Sequence, residues 1–173
     1  MVRIEHVTGD GDVADRIRLR RGGWLTPLDQ MLLHSPPVAD GWNSLLGAIR
    51  RRCELAGDVR ELAILRVAAL NGADYEWQAH EPEGLAEGLT AEQIAVLRIP
   101  APPDVDADEV LGERLRLARD YTDAMTKDVQ VPDELFDKLR EHFDDRRIVE
   151  LTATVGAYNL VSRFLVALQV GVA

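Results

Sequence analysis

The sequence predicts an all-α fold. Apolar residues recur at three- and four-residue spacing through most of the chain, helix start and stop signals punctuate it, and no alternating run marks a strand. The 173 residues are enough for one domain with a real core, and no internal repeat or low-complexity linker divides them.

Residues 1–23 form a polar N-terminal arm with the glycine-rich piece Thr8 to Asp12 and an arginine cluster at Arg16, Arg18, Arg20 and Arg21. That cluster reads as a solvated or interface-packed arm, or else as an anion-binding lip over a neighbouring site. The helical domain then occupies 24–173. Its first helix spans Asp40 to about Leu55, with Trp42, Leu45, Leu46 and Ile49 as the apolar set. A second runs from Asp58 to Asn71 and is stopped by Gly72. A third starts near Asp74. Thr90 and Gln93 have capping-box spacing and open a short helix before Pro100. The run from Ala101 to Asp108 is a loop, because paired prolines oppose helix. A long helix covers about Ala107 to Lys127, with Val110, Leu111, Leu115, Ala118, Tyr121 and Met125 on one side. Pro132 opens another through Leu135, Phe136 and Leu139, and the last spans about Asp145 to Val170.

Two segments, Leu62 to Leu70 and Leu151 to Val170, are apolar nearly all round and need burial on every side. A single layer of short helices cannot easily cover both, so a homo-oligomer is expected. The formal charge of -10 argues against nonspecific binding to nucleic acid or to an anionic membrane. Arg163, Asn159 and Gln169 make the last apolar stretch a poor membrane span. No apolar signal core opens the chain, so the expected location is cytoplasmic. Cys53 is the single cysteine; it excludes an intrachain disulfide and any Cys-x-x-Cys redox or metal site, and it reads as a lone unreactive thiol.

Chemistry concentrates between Arg60 and His80. Glu61 and Arg66 sit in a strongly apolar helix, and Asp74, Tyr75, Glu76, Trp77 and His80 follow the Gly72 break within seven residues. In a helix, Ala73, Glu76, Trp77 and His80 share a face, presenting carboxylate, indole and imidazole together. Imidazole is the side chain best suited to move protons near neutral pH. Each residue also has a plainer role. Glu61 has capping-box spacing from Asp58, and Glu76 is a favourable acid for a first helical turn. Tyr75 and Trp77 can pack or wall a pocket. Arg66 needs a partner, either Glu61 or a substrate carboxylate. Arg163 is too far from Glu150 along its own helix to pair with it, so its partner lies elsewhere. Pro82 should end or kink the helix and leave His80 near a helix end.

A glutamate opening an apolar helix, then Tyr75-Glu76-Trp77 and His80 after a break, resembles the carboxymuconolactone decarboxylase or alkylhydroperoxidase-D-like family. Gly88-Leu89-Thr90 with Glu92 and Ile94 is similar to the turn after that helix in the family. Glu150-Leu151, Gly156, Tyr158-Asn159 and Arg163 are similar to its C-terminal helix. The likeness spans about Trp24 to Val170. The resemblance implies a helical, oligomeric protein, trimeric or a multiple of it. It further implies a cofactor-free and metal-free acid/base site acting on a small carboxylated lactone or oxo acid. His80 would donate the proton and Glu61 would orient it or exchange its proton. Arg66 or Arg163 would hold a substrate carboxylate, with Glu76, Trp77 and Tyr75 lining the pocket. The family's peroxidases place two cysteines where this chain has Ala73 and Glu76, so the dithiol mechanism does not carry over. A peroxidase-like antioxidant protein and a non-catalytic helical oligomer that binds a small ligand are the alternatives.

Overall fold

The computed structural model describes residues 2–102 and 105–171. Pro103 and Asp104, in the expected Ala101–Asp108 loop, and residues 172–173 lie outside the described residues. Every regular element among those described is α-helical, in line with the expected class. The chain forms two compact units, one of Met1–Arg52 with Phe164–Ala173, the other of Cys53–Arg163.

The first unit contains α1 (Asp12–Arg21), α2 (Pro27–Leu32) and α3 (Pro36–Arg51). Residues expected as a polar arm are thus helical in part. α1 has Asp12 and Asp15 in its first turn and Arg18, Arg20 and Arg21 in its last, which suits the helix dipole at both ends. Only Ala14 and Ile17 anchor it in the core, so its apolar periodicity is too sparse to read. Its arginines are taken up inside the unit. Arg16 bonds Asp40 at 2.6 Å, Arg18 reaches the carbonyl of Gly9, Arg20 bonds Asn43, and Arg21 pairs with the buried Asp29. Asp29 also completes a capping box with Thr26 that starts α2. α3 begins earlier than expected because Pro36 and Pro37 fit the first turn, where no N–H is needed.

The second unit is built on α4 (Gly57–Asn71) and α5 (Asp74–Ala86), joined by Gly72 in the left-handed region at φ 63°. Leu62, Ala63, Ile64, Leu65 and Val67 of α4 have no exposed surface, so this helix is covered within the single chain. It packs against α5 and against α7 (Ala107–Lys127). α5 comes close because Gly84 has no side chain; a Cβ there would sit 3.2 Å from Leu65. α5 also passes through Pro82 to Ala86 instead of stopping near His80. Pro82 and Gln78, whose carbonyl loses its usual donor, both lie on the exposed face, where water can replace that bond.

α6 (Ala91–Ala95) starts at the Thr90–Gln93 capping box as expected. The expected long helix is α7, but it is broken at Gly112, whose φ of 66° and ψ of 169° no helix contains. α8 (Asp133–His142) follows Pro132, and α9 (Asp145–Leu168) closes the chain, its residues to Arg163 belonging to this unit. Asn159 of α9 bonds Thr126 of α7 and Asn71 of α4, tying three helices together. α9 is long and apolar enough to cross a membrane by length and composition alone. Leu151, Val155, Tyr158 and Val161 are nonetheless buried within the fold.

Candidate active site

The left-handed turn at Gly72 folds α5 back along α4 and sets His80 against Glu61. His80 Nδ1 bonds Glu61 Oε2 at 2.6 Å, and its Nε2 lies 3.0 Å from Oε1 of Glu76, one turn earlier on α5. All three side chains are buried. The edge of Tyr158 from α9 meets the imidazole at 5.2 Å in a T-shaped contact, fixing the ring plane. Burial alone would favour a neutral histidine. The two carboxylates outweigh it and raise the His80 pKa from 6.5 to about 8. At neutral pH the ring is therefore an imidazolium donating from both nitrogens. Burial likewise opposes ionisation of Glu61, but the bonds from His80 and Arg60 win, and its pKa falls below the ordinary value.

Arg60 closes the other end. Its Nε donates to Glu61 Oε1 at 3.1 Å, while its Nη2 donates to Glu87 at 2.7 Å. Arg60, Glu61, His80 and Glu76 thus alternate in charge along one line. Glu61 has both oxygens engaged and is fixed as an anion, so it orients the ring. The Nε2 side of the ring faces Glu76. The capping alternative for Glu61 is set aside by this geometry: the N-cap of α4 is Ala56, with no side-chain cap, and Glu61 bonds His80 and Arg60.

The remaining candidates lie elsewhere. Trp77 lines a separate cavity with Ala68, Ala69, Gly72, Asp74 and the stretch from Arg98 to Pro100; neither Glu61, Glu76, His80 nor Tyr75 borders it. Tyr75 is half-buried on α5. Arg66 pairs with Asp123 of α7 at 2.6 and 2.7 Å and donates to the Leu97 carbonyl, so its partner is not Glu61. Arg163 is exposed and bonds Asn159 one turn back on its own helix. Among the described residues no cluster of histidine, cysteine and acidic side chains has the makings of a metal site.

The sequence profile described as the Carboxymuconolactone decarboxylase family matches residues 36–127, more than half of the chain and all of α3 to α7. This chain belongs to the carboxymuconolactone decarboxylase family. Among relatives of this family, the uncharacterized protein YdfG of Bacillus subtilis is 29% identical over 109 residues, 63% of this chain and 72% of YdfG. An Agrobacterium tumefaciens protein of unknown function, described as a candidate antioxidant defence protein AhpD, is 27% identical. It superposes with a TM-score of 0.68 over 79% of this chain and 90% of its own. An uncharacterized peroxidase-related protein from Silicibacter sp. TM1040 shares the fold, with a TM-score of 0.77 at 18% identity over 98% of this chain and 90% of its own. The AhpD-like fold is thereby shared across most of the chain.

Within this family fold, Ala73 is the buried residue before α5 and Glu76 is the histidine's second carboxylate. Where a thiol pair would stand, this member of the carboxymuconolactone decarboxylase family presents a methyl group and an acid. Sequence reasoning missed three residues near the site: Arg60, Tyr158 as a ring contact, and Arg98, which stacks on Trp77. Arg60 was legible in principle, since it precedes Glu61. The other two approach from distant segments and carry no local signal.

Proposed function

We propose that this protein is a cofactor-free acid/base enzyme that decarboxylates a small carboxylated lactone or oxo acid. The single observation that carries the reading is a buried histidine ring held between two carboxylates, Glu61 and Glu76. A decarboxylase of this kind breaks the bond between the substrate carbon and its carboxylate. The electron pair passes into a conjugated carbonyl, and a proton must then reach a defined carbon. Nε2 of His80 holds that proton at neutral pH, and Glu76 is the carboxylate that can carry it onward to the substrate. Glu61, anchored by Arg60, keeps the ring in the one orientation that serves this transfer. Thiol-based peroxide reduction, the other chemistry suggested by relatives named for it, lacks its nucleophile here, because Ala73 and Glu76 stand at the cysteine positions.

The test is carbon dioxide release by the full chain from a panel of carboxylated lactones and β-oxo acids. His80→Gln and Glu61→Gln are expected to fold normally and to lose about a hundredfold to ten-thousandfold in turnover. Full activity in both variants on a substrate the wild type decarboxylates would defeat the assignment.

A further inference from the structure

The cavity beside Trp77 is distinct from the proton-handling trio and has a chemistry of its own. It measures about 340 Å³ and opens between the end of α4, the start of α5 and the segment after α6. Small residues, Ala68, Ala69 and Gly72, leave the space; Gly72 cannot readily take a side chain at its positive φ. Trp77 is 5% exposed, and its indole N–H is buried with no acceptor among the described residues. A buried N–H without a partner is costly. Arg98 lies over the face of the Trp77 ring, 4.2 Å from its centroid. It meets Glu81 only through a 3.3 Å contact between half-exposed groups, which solvent screens. A guanidinium lying over an indole still has N–H donors to offer an oxyanion. Asp74, in the first turn of α5, lines the same cavity and can only accept hydrogen bonds once ionised.

We propose that this cavity binds a small carboxylic acid that also carries a hydrogen-bond donor, a hydroxyl or an ammonium group. The carboxylate is held by Arg98, and the donor is held by Asp74. Arg98 and Asp74 are thereby specificity-determining residues. A carboxylate alone would be repelled by Asp74, and a neutral molecule would leave Arg98 unused; the substituted acid satisfies both. The proposal stands apart from the decarboxylase reading, because the cavity does not border the trio and the binding itself requires no turnover.

Calorimetric titration of the full chain with mandelate, phenylacetate and methyl mandelate separates the parts. Mandelate is expected to bind tightest, phenylacetate more weakly for want of the hydroxyl, and the ester weakest for want of the charge. Arg98→Met should weaken mandelate by about tenfold or more, the loss of one charge-assisted pair, with Arg98→Lys in between. Asp74→Asn should erase the difference between mandelate and phenylacetate. Both side chains are exposed, so neither variant threatens the fold. No saturable binding of any probe, or equal binding of mandelate by Arg98→Met, overturns the proposal. Binding as expected with no carbon dioxide released from any acid leaves the cavity assignment standing and removes the catalytic one.

Discussion

A histidine with a carboxylate on each ring nitrogen ties its own charge to the stability of the fold. The folded pKa of His80, about 8, stands above its ordinary 6.5, so the charged ring contributes stability that is fully present below pH 6.5 and lost as pH rises through 8. Glu61 runs the other way: its contribution is present above the ordinary 4.5 and lost as pH falls through its depressed folded value. Thermal unfolding midpoints are therefore expected to be highest between these limits and to decline on the alkaline side across the 6.5-to-8 window. His80→Gln should flatten that alkaline decline. A wild-type midpoint that does not change through the window would mean that His80 is not charged in the folded protein. Much of this trio was legible in the sequence, because Glu61, Glu76 and His80 are polar residues on helices whose apolar pattern calls for burial. Their mutual distances were not, since those depend on how tightly the Gly72 turn returns the chain.

Arg66 illustrates what changes at the level of helices. In the sequence it is a cation stranded in an apolar segment, available to a substrate. In the fold it bridges α4 to α7 through both nitrogens facing Asp123. Asp123→Asn should lower stability by about 1–3 kcal/mol, the usual cost of weakening a charged hydrogen-bonded pair away from water, and should leave the Michaelis constant unchanged. Urea unfolding and steady-state kinetics on the same variant check both halves. A raised Michaelis constant with unchanged stability would return Arg66 to the substrate. Helices with a strong apolar stripe or a clear cap were readable from the sequence, α6 from its capping box above all. α1 and α2 were not: α1 buries only two residues, and α2 is a single short segment held by the Thr26–Asp29 cap. Pro82 misled in the other direction, because a proline on a solvent-facing side gives up one hydrogen bond without ending a helix whose other face is packed.

On the scale of the whole molecule, the argument for assembly now belongs to α9 alone, since α4 is covered by its own neighbours. Val149, Ala153, Gly156 and Leu160 are exposed on α9 at alternating four- and three-residue steps, the spacing of a single helical seam. The expected homo-oligomer would bury this seam against a second copy. Leu160→Glu, placing a charge at its C-terminal end, is expected to shift light-scattering mass toward the 19.2 kDa monomer without changing the circular dichroism of the fold. A wild type that is already monomeric at micromolar concentration would remove the idea. Assembly was only partly legible from the sequence: all-round apolarity identifies a helix that wants cover, while the covering layer depends on tertiary contacts no local pattern encodes.

The closed end of the charged line bears on where product hydrogen comes from. Arg60 occupies the far oxygen of Glu61, so the imidazole has one entrance for protons, on the Glu76 side. Under the proposed chemistry, whatever leaves through that entrance must be replaced through it. The replacement comes from solvent, since the cavity beside Trp77 does not border the trio. In deuterated buffer the product carbon should therefore carry solvent deuterium.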